Sequence, residues 1–209
     1  MKKEIYTIGY SCFEIVEFIK VLKRYKINCV IDVRSDPNSK FYTDYNKSTL
    51  IHVLEKNNIY YRNYAKEFGA RQENPKYYTD GCLDFRKFTK SEAFQSGMEK
   101  LIKSMEKNYT FVLMCAEKDP ATCHRNIMIA KEFHKLGYTV NNILHTGDIE
   151  TQESIEQRLL EIYFPNRDQL SLFDEKLSEA QMIDQSYCLR NKEIGFKLED
   201  GERMNGFYE

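Results

Sequence analysis

Tryptophan is absent from the 209 residues. The six cysteines (Cys12, Cys29, Cys82, Cys115, Cys123, Cys188) include no C-x-x-C pair, which argues against a zinc ribbon or a thioredoxin-type motif. Four prolines and nine glycines leave no low-complexity tract. No apolar run approaches the roughly 18 residues of a spanning helix. The opening Met1 to Tyr10 is too polar and short for a secretory signal. A strong charge of either sign is also missing. Lys and Arg number 31 against 32 Asp and Glu, a net −1. That balance excludes a uniformly basic nucleic-acid coat, but a site is local and a basic cleft remains open. These absences lead us to expect a cytoplasmic protein with no membrane partner and mostly reduced thiols.

What is present is apolar and aromatic. Hydrophobic residues make up 42%, with 15 Tyr and 13 Phe, which excludes wholesale disorder. The periodicity alternates between strand and helix patterns. Strands are expected at 4–8, 28–33, 59–61, 109–114 and 138–144. Helices are expected at 13–25, 47–57, 91–107, 123–136 and 150–163, with Ser91 as an N-cap and Gly137 closing the fourth. This order implies an α/β fold of three layers, a mostly parallel sheet with helices on both faces, plus a C-terminal tail. We expect an α/β domain over 1–164, then a linker and acidic tail over 165–209. Residues 174–209 carry a net −4 and the preceding 173 a net +3. A hairpin at Asp200-Gly201 is one reading of the tail.

In such sheets ligands sit beyond the carboxyl ends of the strands. Gly9-Tyr10-Ser11, Asp32-Val33-Arg34-Ser35 and Cys115-Ala116-Glu117 lie there. The strongest group runs from Cys115 and Glu117 through Pro120 to Cys123-His124-Arg125, at a helix N-terminus. That position favours anions and ionised thiols. His124 can move a proton near neutral pH. Cys115, Glu117, Cys123, His124 and Asp32 are therefore the candidate catalytic residues. Tyr10, Ser11, Arg34, Ser35, Arg71 and Arg125 are candidate substrate or phosphate contacts. Each has a plainer reading too: cysteines as small core residues, and Asp32 with Arg34 as an internal ion pair. A Cys-x5-Arg phosphatase loop is excluded, since the Arg place holds Ala121 counted from Cys115 and Ile129 from Cys123. Zinc on Cys115, Glu117, Cys123 and His124 meets an objection. Adjacent residues of a helix point about 100° apart, so no metal and no cofactor is expected.

Thr7-Ile8-Gly9-Tyr10-Ser11, Asp32-Val33-Arg34-Ser35-Asp36-Pro37, Cys115-Ala116-Glu117 and Cys123-His124-Arg125, in this order, resemble the family catalogued as domain of unknown function 488. The resemblance covers about residues 4 to 145. Tyr10 stands where that family usually has His, and Ala70 where a second Gly is common. The resemblance implies the fold and the site, and no reaction.

Gln169-Leu170-Ser171-Leu172-Phe173 resembles the pentapeptide by which bacterial proteins bind the replication sliding clamp. Such a peptide places Leu172 and Phe173 in an apolar pocket and Gln169 at its rim. Apolar packing on the domain is the plainer reading. The expected function is a DNA-processing hydrolase, in repair or in removal of a modification, recruited by the clamp. A non-catalytic nucleic-acid adaptor and a thiol-dependent small-molecule or nucleotide hydrolase are the alternatives.

Overall fold

The computed structural model describes residues 3–167 and 177–198. Six strands form one sheet: β1 (Glu4–Gly9), β2 (Cys29–Asp32), β3 (Tyr60–Asn63), β6 (Phe111–Cys115), β7 (Thr139–Ile143) and β8 (Ile149–Thr151). Their spatial order is β3-β2-β6-β1-β7-β8. All neighbours pair in parallel except β7 with β8. Two short strands, β4 (Tyr78–Thr79) and β5 (Cys82–Leu83), make a separate hairpin. Its turn residues Asp80 and Gly81 both have positive φ, 51° and 74°, the backbone that an Asp-Gly turn supplies readily. Asp200-Gly201, where the sequence suggested a hairpin, lies outside the described residues.

Strand residues alternate between two cores because successive side chains point to opposite faces. Tyr6 and Ile8 of β1, with Val112 and Met114 of β6, face one way. There they meet α1 (Ile15–Arg24) through Phe18 and Leu22, and α2 (Lys47–Lys56) through Leu50 and Leu54. Ile5, Phe111, Leu113 and Cys115 face the other way. They meet Phe94 and Leu101 of α5 (Glu92–Glu106) and Ile155 and Leu159 of α7 (Gln152–Tyr163). The fold is the expected three-layer α/β sandwich. Ser91 caps α5, its hydroxyl accepting from Phe94 N–H. Short helices α3 (Ala65–Phe68) and α4 (Phe85–Phe88) punctuate the long connection between β3 and α5.

The helix expected over 123–136 has an unexpected start. Cys123 is extended, at φ −127° and ψ 137°. A π-helix, Arg125–Ala130, follows and runs into α6 (Lys131–Lys135). Gly137 ends it with φ +78°, as its position suggested. Asn126, in the π-helix, donates to Asn142 Oδ1 and Gln152 Oε1, both at 2.8 Å. Thr7 donates to the same Asn142 oxygen, and Gln152 Nε2 donates to Tyr187 Oη at 2.7 Å. This buried polar chain ties β1, β7, the π-helix and α7 to α8 (Glu179–Ile194).

No helix was read from the sequence beyond residue 163, and α8 is the addition. Ser178 and Gln181 form a reciprocal capping box at its start. Its buried residues are Met182, Ser186 and Tyr187; the apolar residues 180, 182, 183, 187, 188, 189 and 194 spread round the helix and do not follow one clean 3.6-residue stripe. After α8 the chain pairs with the small hairpin: Leu83 N–H donates to Phe196 O and Leu198 N–H to Gly81 O, each at 2.9 Å. No described helix is long and apolar enough to cross a membrane.

Candidate functional site

Three strand ends meet at one edge. Gly9 of β1 is in register with Cys115 of β6, and Asp32 of β2 with Met114 of β6. Beyond β1 the chain turns to the α1 face, while beyond β6 it enters the π-helix on the opposite face. Divergent exits from neighbouring strands leave a crevice between them. Ser11 N–H crosses it to donate to Ala116 O at 3.1 Å.

Cys115, Glu117, Cys123 and His124 converge here. One ligand-type atom from each lies within 4.8 Å of the other three. His124 Nδ1 is 3.8 Å from Cys115 Sγ and 3.9 Å from Cys123 Sγ. Cys123 Sγ is 2.9 Å from Glu117 Oε2. His124 Nε2 sits 3.0 Å from Val33 O. A carbonyl only accepts, so Nε2 carries the proton and donates. That bond fixes the ring with Nδ1 toward both thiols. The two cysteines and the histidine are buried, while Glu117 is exposed as a residue with its carboxylate turned in on Cys123.

The convergence depends on the loop. Pro120–Thr122 forms a single 3-10 turn capped by Asp119, whose carboxylate accepts from Ala121 N–H. Asp119 in turn holds Arg158 of α7 at 2.6 Å. The turn delivers Cys123 in extended conformation. The 100° divergence expected of adjacent helical residues therefore does not apply to Cys123 and His124, and the objection to a shared site falls with it.

The electrostatics divide the two thiols. Burial opposes ionisation of Cys123, but the Cys115 thiol, the Arg125 guanidinium and His124 outweigh it and hold the thiol well below its ordinary range. Cys115 is pushed well above that range by its hydrogen bond to Cys123 and by burial. Burial lowers His124, yet Cys123 and Glu117 overcome it and raise the imidazole. Burial and the neighbouring Cys123 raise the Glu117 carboxyl.

The arginines expected at phosphate are placed otherwise. Arg125 is fully buried, its Nη1 donating to Glu117 O at 2.6 Å and its Nη2 to Lys118 O at 3.5 Å. It ties down the loop that carries Glu117. It also accounts for a cation at a helix start, where the dipole disfavours one, since its charge is spent on carbonyl oxygens. Arg34 is 5% exposed and Asp32 fully buried. Arg34 Nε and Nη2 reach Asp32 Oδ1 and Oδ2 at 2.9 and 2.6 Å, a two-pronged pair. Arg34 also donates to Tyr10 Oη and Tyr45 O, and Tyr61 Oη–H donates to Asp32 Oδ2. Tyr10 is buried and stacks on Tyr45 at 4.3 Å between centroids. Ser35 Oγ accepts from Arg71 N–H at 2.8 Å. The Arg71 side chain lies over Phe196, 4.7 Å from the ring centre.

The tyrosine-rich segment 35–84, Tyr42 included, reads from the sequence as a stacking surface for bases; Phe41 beside it is not marked. Phe41 is 91% exposed and Tyr42 41%. Both line a cavity of about 380 Å³ with Ser11, Cys12 and Tyr45. Nothing in the local pattern marked Phe41, because an isolated aromatic in a loop reads the same whether it packs or projects. Gln169, Leu170, Ser171, Leu172 and Phe173 lie outside the described residues.

No curated protein matches the chain, and no solved structure does. One family model matches residues 14–131. That stretch holds the Asp32-to-Pro37 and Cys115-to-Arg125 segments, while Thr7-to-Ser11 precedes it. With more than half of its length matched, the chain belongs to the family described as Domain of unknown function DUF488.

Proposed function

We propose that the chain is a hydrolase acting on nucleic acid, with Cys115, Glu117, Cys123 and His124 as its reacting group. The observation that carries this reading is the gathering of those four side chains within 4.8 Å at the carboxyl edge of a parallel sheet. Two thiols, an imidazole and a carboxylate in one crevice are a nucleophile and proton-transfer set. Glu117 is the member open to solvent and takes the role of acid and base toward substrate. The exposed rings of Phe41 and Tyr42 supply a stacking surface for bases. Arg34 and Arg125 serve by holding the loops, not by touching phosphate.

Recruitment by the sliding clamp belongs to the same reading and rests on the five residues Gln169 to Phe173 alone.

The test is a turnover screen of the full chain against single-stranded DNA carrying varied base modifications and against free nucleotides. Activity on one of these panels, lost in Glu117→Gln with the circular dichroism spectrum unchanged, supports the proposal. Undiminished turnover in Glu117→Gln overturns the site assignment. Clamp pull-down with Leu172→Ala/Phe173→Ala tests recruitment separately, and equal capture of the variant overturns that part.

A further inference from the structure

We infer that Cys115 Sγ, Cys123 Sγ and His124 Nδ1 form a site for a divalent cation of the zinc class, with Glu117 at an exchangeable fourth position. The inference deepens the proposed hydrolytic function by making the thiols and the imidazole ligands and keeping Glu117 as acid and base; it rests on that function only for the use made of the metal, not for the site. Its first support is spacing. Zinc binds sulfur at about 2.3 Å and imidazole nitrogen at about 2.0–2.1 Å in tetrahedral geometry. Ligand atoms around one ion then stand roughly 3.5–4 Å apart. The two sulfur-to-Nδ1 separations here are 3.8 and 3.9 Å.

The second support is the orientation of His124. Its Nε2–H donates to Val33 O, leaving Nδ1 with a free lone pair toward the sulfurs. Metal-bound histidines are held in this way, with the distal N–H on a carbonyl or carboxylate. The carbonyl belongs to the residue that follows β2, so a different part of the sheet edge aims the ring.

The third support is the crowding of acidic groups. Cys123 Sγ and Glu117 Oε2 stand 2.9 Å apart, and the Cys115 thiol is buried within the same group. Such a set needs either a shared proton or a cation between its members. Two thiolates and an imidazole are soft and borderline donors, which select zinc over magnesium or calcium. The three buried ligands are fixed by the strand end, the extended Cys123 and the Val33 bond. Glu117 is the exposed residue of the four, so it is the ligand that a water can displace. Three protein ligands with one open place is the layout of catalytic zinc, in contrast to closed structural sites. A zinc held there would lower the pKa of a water that displaced the Glu117 carboxylate to about 7, and the freed carboxylate would take that water's proton.

The experiment measures metal in the full chain purified without added chelator, by inductively coupled plasma mass spectrometry. One zinc per chain is expected. Chelation and dialysis against cobalt should then produce a thiolate-to-cobalt charge-transfer band, a readout that needs no substitution and no substrate. Cys123→Ala and His124→Ala should lose both metal and band, while Glu117→Gln keeps them. Protein that is metal-free as isolated, and that takes up neither zinc nor cobalt with its thiols reduced, overturns the inference. So does full metal retention in Cys123→Ala. A metal-free protein that still hydrolyses substrate sinks this inference alone. A zinc-loaded protein that turns over nothing sinks the hydrolase reading alone.

Discussion

Gly9 lies directly beneath the carbonyl of Glu117. A β-carbon on Gly9 would stand 1.8 Å from Glu117 O and 2.7 Å from its carbonyl carbon. The same oxygen accepts from Arg125 Nη1 at 2.6 Å, so it is held from two sides. Gly9→Ala must therefore push out the loop that carries Glu117. Overpacking of this kind costs about 1–3 kcal/mol. Hydrogen exchange should show the loss of protection confined first to residues 115–118 and the Ser11 amide. Unchanged exchange there would contradict the close approach.

Asp32 and Arg34 form a buried pair whose partners are not separable. Asp32→Ala leaves the Arg34 guanidinium buried without its carboxylate. Breaking a buried pair from one side costs about 3–5 kcal/mol. Urea unfolding should show that loss in Asp32→Ala. Arg34→Lys should also destabilise, because an ammonium cannot make the two-pronged contact.

Phe41 should matter for binding and not for folding. An exposed side chain away from special features changes stability by about 0.5 kcal/mol or less. Stacking on a base is worth about 1–3 kcal/mol. Phe41→Ala is expected to keep its melting temperature while its affinity for single-stranded DNA falls by about tenfold or more, measured by fluorescence anisotropy. Unaltered affinity would remove Phe41 from the contact surface.

Tyr187 closes the buried polar chain. Its hydroxyl accepts from Gln152 Nε2 at 2.7 Å and donates to Glu156 Oε1 at 3.0 Å. Tyr187→Phe removes one of the two acceptors of Gln152 Nε2, which keeps Asn126 Oδ1 at 3.1 Å, and the donor to Glu156, so a loss of about 1 kcal/mol is expected. Proteolysis between α7 and α8 should accelerate in the variant if the hydroxyl holds α8 in place.

Asp184 of α8 makes stability depend on acid. Burial raises its carboxyl, but Lys131 and Arg86 outweigh that and hold it below the ordinary value. Asp184 Oδ1 is 3.2 Å from Lys131 Nζ, and Oδ2 contacts Arg86 Nη2. A carboxyl lowered by folding contributes stability above its unfolded pKa of about 3.9. It loses that contribution as pH falls through the lower folded value. Asp184→Asn should melt at lower temperature than wild type at pH 7, and the gap should narrow below about pH 4. A gap independent of pH would assign the effect to shape alone.

The amino-acid order by itself determined the layers. Alternating apolar strands such as Phe111–Cys115, with helices between them, can bury both faces of a sheet in few ways. Strand ends are where ligands of such sheets sit, which is why Cys115, Glu117, Cys123 and His124 could be grouped as candidates before any fold. Boundaries moved by only a few residues. What the order could not decide was direction and partnership. Cys123 and His124 aim at one point because a turn capped by Asp119 keeps Cys123 extended, and periodicity carries no record of that backbone. Arg34 and Arg125 look like phosphate contacts in a sequence, since a guanidinium serves anions and carbonyls equally. For Arg34 the sequence left an internal pair with Asp32 open and packing chose it; for Arg125 only packing showed the Glu117 carbonyl on it. Helix α8 buries few of its apolar residues; besides Met182 and Tyr187 it docks through the hydroxyl of Tyr187 on Gln152 and through Asp184 on Lys131 and Arg86. Those polar partners are far away in the chain, and such contacts exist only once tertiary structure has brought both ends together.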